Sequence, residues 1–318
     1  MIYQRVAVLM GGPSAEREVS LRSGAAALRG LQESGYTATA VEVTGRTFTL
    51  PPGTEAVFIA LHGEFGEDGE VQAMLDGMGM PYTGSGAEAS RVAMDKILTK
   101  EAFTAHGIPT PAYRVLPRGD EPVFPLPAVV KPVRQGSSFG VHLVRESSQM
   151  AAALEDAFRY DGEVLIEAYI PGRELTVGVI DREPLPVVEI AAPDGWYGYE
   201  AKYTPGKTRY YCPAELPGEV RDEAQRLAVA VFDALGCEGF GRVDFRLSPE
   251  GGLFVLELNS IPGLTETSLL PKAAAAAGIP FAALCDRLMR TARCGGISEQ
   301  STARLQRGSR TRGASGLH

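Results

Sequence analysis

The sequence predicts an α/β protein that opens on a small parallel α/β domain and continues as α+β. Two observations carry this. Residues 1–85 alternate short apolar runs with helical segments, the order that gives a parallel sheet. Residues 110–190 read instead as strands with one helix among them. At 318 residues, the chain has room for two or three domains of about 100–200 residues each.

In order, "RVAVLM" is a buried strand. Gly11 and Gly12 turn the chain, and Ser14 can cap a helix from about Glu16 to Ser34. The strands "ATAVEV" and "AVFIAL" follow, then a helix from about Gly69 to Met78. Glycines and Pro81 in "PYTGSG" mark a boundary. One helix is predicted over "SRVAMDKILTKEAFTAHG", ended by Gly107. Next come "AVVKPV", "GVHLVR", the helix "MAAALEDAFRY", "EVLIEAYI" and "ELTVGVI". The segment "APDGWYGYEAKYTPGKTRYYCPAEL" is too polar and broken for a core element and reads as a long loop. A helix over 218–235, the strands "GFGRVDFRLS" and "GGLFVLELNS", and a helix near 280–290 complete the ordered part. The tail from Gly295 has four arginines and few apolar residues, and reads as disordered.

Composition narrows the function classes. The net charge of −8 argues against a nucleic-acid groove. No apolar run approaches the roughly 20 residues that span a bilayer, and "MIYQRVAVLMGG" lacks a cleavage site after its apolar run. Cys212, Cys237, Cys285 and Cys294 fit neither a zinc pattern nor a disulfide framework. They read as reduced, buried thiols in a cytoplasm.

Three segments carry chemistry. In "GRVDFRLSPEGGLFVLELNS", pairing Ser248 with Leu253 places Asp244 opposite Glu257 and Arg242 opposite Asn259. Period-two alternation puts those four on one face, with Val243, Phe245, Leu256 and Leu258 in the core. Two carboxylates and an amide oxygen suit Mg²⁺, with Arg242 beside them for developing negative charge. A plain salt-bridged hairpin face is the alternative. In "VVKPVRQGSSFGVHLV", Lys131 ends a strand, and a loop with Gly136, Ser137, Ser138 and Gly140 offers donors to a phosphate; a simple turn is the alternative. The near match to a P-loop at "AKYTPGKT" lacks a preceding strand and is interrupted by Pro205. In "LHGEFGEDGEVQ", His62 follows a strand's carboxyl end, where ligand groups gather in α/β sheets.

The first loop poses a puzzle. A strand, a glycine turn and a helix start commonly bind phosphate, yet Glu16 and Glu18 occupy the first turn, where a carboxylate suits the helix dipole and repels an anion.

Taken together, "GGPSAEREVSLRSG", "LHGEFGEDG", "AMDKILTK", "KPVRQGSSFGV", "EAKY", "GRVDFR" and "LELNSIPGLTETSLLP" resemble the D-alanine–D-alanine ligases of the ATP-grasp superfamily. The likeness runs in family order over about residues 4–290. It implies an N-terminal α/β substrate-binding domain (1–86), a central ATP-grasp domain (87–190) and a C-terminal ATP-grasp domain (191–294) with a lid at about 196–210, before the tail 295–318. It implies that ATP phosphorylates one D-alanine and that a second attacks the acyl phosphate, giving a dipeptide for peptidoglycan.

Residue by residue, the resemblance implies that Glu16 meets the first substrate's ammonium, which resolves the puzzle of the first loop. Ser137 and Tyr203 link to Glu16, and His62 helps hold that substrate's carboxylate. Lys96, Lys131, Ser138 and the loop around it take phosphate, and Lys202 touches the transferred group. Glu167 and Ile170 match the adenine hinge, and Glu174 the ribose contact. Asp244, Glu257 and Asn259 match ligands of a pair of Mg²⁺ ions, with Mn²⁺ able to substitute. Arg242 and the Gly263 N–H match oxyanion donors, and Ser268 with Leu269 the second carboxylate's site. A cytoplasmic homodimer with no nucleic-acid or membrane partner is implied as well. Ala73, Asp76 and Arg91 depart from the family pattern, none at a ligand position. The rival readings are a D-alanine–D-lactate ligase, disfavoured by Tyr203, and a non-catalytic ATP-grasp binding protein.

Overall fold

The computed structural model describes residues 2–198, 201, 202, 204, 206–265 and 267–294. Three sheets organise it. The first holds β1 (Arg5–Gly11), β2 (Thr37–Val43) and β3 (Ala56–Ile59) in the order β2-β1-β3, all parallel. Helix α1 (Arg17–Glu33) is the crossover between β1 and β2, and α2 (Glu70–Gly77) follows β3. β1 and β3 are nearly continuous apolar runs because both of their faces are covered.

The expected single helix after "PYTGSG" is two, α3 (Ala87–Met94) and α4 (Lys96–Ala105). They break at Asp95, whose extended backbone lets its carboxylate accept from Ile97 N at 3.0 Å and Leu98 N at 3.2 Å. Asp95 is thus an N-cap inside what reads as one helical run.

The second sheet is antiparallel, in the order β4-β7-β5-β6: β4 (Tyr113–Pro117), β5 (Ala128–Pro132), β6 (His142–Val144) and β7 (Glu163–Ala168). Helix α5 (Ser147–Ala157) packs against it. The third holds β8 (Arg173–Ile180), β9 (Glu183–Pro184), β10 (Val188–Ala191), β11 (Arg209–Tyr211), β12 (Phe240–Leu247) and β13 (Leu253–Asn259). Its path is β11-β10-β8-β12-β13, with β9 paired to β8. The boundary expected near residue 190 therefore falls inside this sheet; the chain passes from the second sheet to the third between Ala168 and Arg173. β11 is an edge strand within the segment expected to be loop throughout.

Helices α6 (Gly218–Ala234), α7 (Leu269–Ala276) and α8 (Phe281–Arg290) follow; α7 is additional to the expected elements. The largest core joins the first sheet to the third through α1, α7 and α8. Among the described residues no single helix is long and apolar enough to cross a membrane; α7 and α8 pass that test only as a pair, bent by 106°. All four cysteines are free: Cys237 and Cys285 are buried, Cys212 half-buried and Cys294 exposed, so the expected burial holds for two.

Candidate active site

The first loop delivers a carboxylate. Ser14 does not cap α1: its hydroxyl donates to the His62 carbonyl at 2.6 Å and accepts from Glu16 N at 3.1 Å, joining this loop to the one after β3. Glu16 takes the N-cap position, and its side chain makes no capping hydrogen bond. Ser137 Oγ donates to Glu16 Oε2 at 2.5 Å. Burial pushes the Glu16 carboxyl above its ordinary range; the Ser137 hydrogen bond and the Lys202 and Lys96 charges pull it back.

The glycine–serine loop is shaped for this contact. A Cβ on Gly136 would sit 2.6 Å from Glu16 Oε1, so a side chain there would displace the carboxylate. Ser137 and Ser138 both hold left-handed backbone, with φ of 52° and 60°, a strained conformation characteristic of ligand loops. Lys96, the first residue of α4, donates from Nζ to the Gln135 carbonyl at 2.6 Å and so supports the loop from beneath. Burial lowers its pKa, and Glu257 opposes that.

Deeper in, Glu167 receives Lys100 on Oε1 and Lys131 on Oε2, each at 2.5 Å, and all three side chains are buried. Burial alone would raise the Glu167 carboxyl, but the two ammonium groups hold it below its ordinary value. Lys100 is pushed down to about 8 by burial. Sequence reasoning assigned Lys100 no role, although it lies one helical turn after Lys96. Ile170 lies in the segment between β7 and β8, and Glu174 near the start of β8 is pushed up to about 7 by burial, with the Arg246 charge opposing.

The β12–β13 hairpin pairs Arg242 with Asn259 and Asp244 with Glu257, as expected, though by a different route. The turn is tighter: Leu247, not Ser248, opposes Leu253, and a bulge between Asp244 and Phe245 restores the register. Leu256 is the extra residue, and it lines the cleft below rather than the core. Asp244 accepts from Arg242 Nε and Nη2, both at 2.9 Å, from Thr176 Oγ1 at 2.6 Å and from Asn259 Nδ2 at 3.0 Å. Burial would raise its pKa, but the Arg242 guanidinium lowers it.

His62 is buried, and burial pushes its imidazole down to about 4, so it is neutral at pH 7. Its Nε2 meets Ser23 Oγ at 3.0 Å, which accepts from Leu264 N at 3.2 Å, and the ring also bonds the Ile261 backbone. Glu67 accepts from Gly63 N at 2.8 Å and Ile261 N at 3.2 Å, and burial with the Glu16 charge pushes it up to about 8. The sequence left Glu67 as one of several acids in a crowded loop. Gly263 packs so closely that a Cβ there would sit 2.9 Å from Ser268 Oγ. Ser268 is the N-cap residue of α7, and Leu269 is its first residue.

These residues surround two clefts. One is lined by Lys96, Lys131, Ser138, Glu167, Ile170, Glu174, Asp244 and Arg246. The other is lined by Glu16, His62, Glu67, Ser137, Arg242, Asn259, Gly263, Ser268 and Leu269. Gly136, Tyr197, Lys202 and Glu257 line both. Tyr203 lies outside the described residues, as does the tail 295–318. Asp244, Glu257 and Asn259 offer hard oxygen atoms, a donor set that fits Mg²⁺ when ligand oxygens complete the shell. Among the described residues there is no group of three or more His, Cys, Asp or Glu that could hold a metal by itself.

Residues 103–290 match the family model described as the D-ala D-ala ligase C-terminus, and residues 46–85 match the D-ala D-ala ligase N-terminus. The chain is 49% identical over 294 residues to the D-alanine--D-alanine ligase of Syntrophotalea carbinolica, covering 90% of this chain and 95% of that one. It resembles the solved D-alanine--D-alanine ligase of Bacillus anthracis complexed with ATP, with a TM-score of 0.79 and 30% identity, over 96% of this chain and 99% of that one. It also resembles the VanG D-Ala:D-Ser ligase of Enterococcus faecalis, with a TM-score of 0.81 and 29% identity, over 91% and 99%. The sheets are those of the ATP-grasp fold, and the chain belongs to the D-alanine–D-alanine ligase family.

Proposed function

We propose that this protein joins two D-alanines into D-alanyl-D-alanine for peptidoglycan synthesis, converting ATP to ADP and phosphate. The observation that carries this reading is the junction: Gly136, Tyr197, Lys202 and Glu257 border both clefts, so a nucleotide's terminal phosphate and a small carboxylate can meet there. The domain division follows the three sheets, with the nucleotide between the second and third.

Glu167 and Ile170 hold the adenine and Glu174 the ribose, while Lys96, Lys131 and the Ser138 loop take the phosphates. Asp244, Glu257 and Asn259 would hold a pair of Mg²⁺ ions, or Mn²⁺, which neutralise phosphate charge. Glu16, poised by Ser137, meets the first D-alanine's ammonium. Neutral His62 keeps Ser23 and the 261–264 segment in place, a support for the substrate's carboxylate rather than a charge upon it. A carboxylate oxygen of that substrate attacks the γ-phosphorus, and ADP leaves. Lys202 follows the transferred phosphoryl group.

The second D-alanine sits with its carboxylate at Ser268 and Leu269, where the start of α7 favours negative charge. Its amine attacks the acyl carbon. Arg242 and the Gly263 N–H stabilise the oxyanion, and collapse expels phosphate, with the amine's proton lost to solvent. The loop 196–210, carrying Tyr203, acts as a lid that keeps water from the acyl phosphate. A cytoplasmic homodimer is carried over from the family resemblance alone.

The test is phosphate release from ATP and Mg²⁺ with product mass detection, comparing D-alanine, L-alanine, and D-alanine with D-lactate or D-serine. Phosphate tied to D-alanyl-D-alanine and absent with L-alanine supports the reading. A depsipeptide or a serine-containing product as the main species near neutral pH contradicts it.

A further inference from the structure

Arg246 lies in β12 two residues beyond Asp244 and is 5% exposed. A guanidinium has five N–H groups, and here there is an acceptor for each. Nε donates to the Ile170 carbonyl at 3.0 Å. Nη1 donates to Glu174 Oε2 at 3.2 Å and to the Gly195 carbonyl at 3.1 Å. Nη2 donates to the Gly172 carbonyl at 2.9 Å and to the Tyr169 hydroxyl at 3.4 Å. The guanidinium also lies 5.5 Å from the Tyr169 ring centroid.

The acceptors come from three places. Tyr169, Ile170 and Gly172 form the connection between the second and third sheets, and Glu174 opposes Arg246 across the β8–β12 ladder. Gly195 ends the 3₁₀ turn that opens the loop 196–210. The next residue, Trp196, packs edge-on to Tyr169 with ring centroids 6.3 Å apart. One planar group therefore ties the hinge, the acid at the ribose end and the first turn of the lid into a single unit. Lysine has three donors at one point and cannot span that fork.

We propose that Arg246 is a positioning residue that couples filling of the nucleotide cleft to seating of the lid loop. This rests on the nucleotide reading above. A nucleotide that engages Ile170 and Glu174 fixes two of Arg246's partners. The guanidinium then has one orientation, and that orientation holds Gly195. The lid is thereby ordered at its entry before any amino acid binds.

The test is hydrogen exchange of the unmodified protein with a non-hydrolysable ATP analogue and Mg²⁺, without D-alanine. Slowed exchange both at 168–172 and at 195–198 is the expected result. Protection at 168–172 with none at 195–198 overturns the coupling while leaving the nucleotide reading intact. Neither binding nor hinge protection overturns both. Arg246→Lys adds a second arm. It is expected to bind the analogue by calorimetry and protect the hinge, to lose protection at 195–198, and to raise the KM for ATP about tenfold, as expected for about 1.4 kcal/mol of lost hydrogen bonding. Full protection of 195–198 in that variant, with unchanged KM, overturns the proposal.

Discussion

Ser137 Oγ and Glu16 Oε2 lie 2.5 Å apart although 121 residues separate them in the chain. This contact joins the glycine–serine loop of the second sheet to the helix start of the first domain. It places the carboxylate at the edge of the junction where the two clefts meet, with Gly136 leaving the space.

Ser137→Ala removes a hydrogen bond to a charged group, worth about 1.5–3 kcal/mol, so kcat/KM for D-alanine should fall ~10- to 100-fold. The pH profile gives a sharper sign. That hydrogen bond lowers the pKa of Glu16 against the push of burial. Its loss raises the pKa, so the acid limb of the activity profile should move to higher pH. An unmoved limb in steady-state kinetics contradicts the assigned role.

The Lys100–Glu167–Lys131 cluster is fully buried. Lys100→Met removes one of the two charged donors on Glu167 and leaves it paired with Lys131, so it should cost about 1.5–3 kcal/mol of stability. Adding Glu167→Gln should deepen that loss in urea unfolding, because Lys131 is then buried without a counter-charge, but by less than Glu167→Gln costs alone, where two ammonium groups lose theirs. Additive losses in the double variant would show that the pair is not coupled.

Asp244 is already satisfied by Arg242, Thr176 and Asn259. Stripping divalent ions with a chelator should therefore abolish turnover while changing stability by less than about 1 kcal/mol, a few degrees in Tm at most. A large drop in Tm would mean that the metal holds the fold.

His62 is neutral because burial lowers its imidazole from 6.5 to about 4. Between those values the unfolded chain takes a proton that the folded one refuses. Stability should thus fall as pH drops through 6.5 and continue to fall to about 4, by about 3 kcal/mol from this group. His62→Asn should lack this component, so unfolding free energies of the two proteins measured from pH 7 to 4.5 should diverge. Parallel loss contradicts a buried neutral imidazole.

Much of this site is legible in the sequence because the residues lining its clefts sit on strong local signals. Gly11–Gly12, the Gly136–Gly140 loop and the alternation of Arg242, Asp244, Glu257 and Asn259 each announce a turn or a face. Lys100, Glu67 and Arg246 are harder to read. Charged residues on a helix, in an acid-rich loop or at an alternating strand position look solvated, and only tertiary contact reveals their partners. Asp95 reads as a helix-interior residue because capping depends on its backbone angle. The bulge at Leu256 is invisible for a related reason: a tighter turn and one extra residue cancel, so the right pairing at Asp244 follows from the wrong pairing at Ser248.

Attack of a substrate carboxylate oxygen on ATP at the junction of the two clefts leaves an isotopic signature. The most direct measurement uses D-alanine carrying ¹⁸O in its carboxylate, with mass analysis of the released phosphate. One ¹⁸O atom per phosphate, formed along with the dipeptide, is the expected result. Unlabelled phosphate would mean that the oxygen came from water and would contradict an acyl phosphate route.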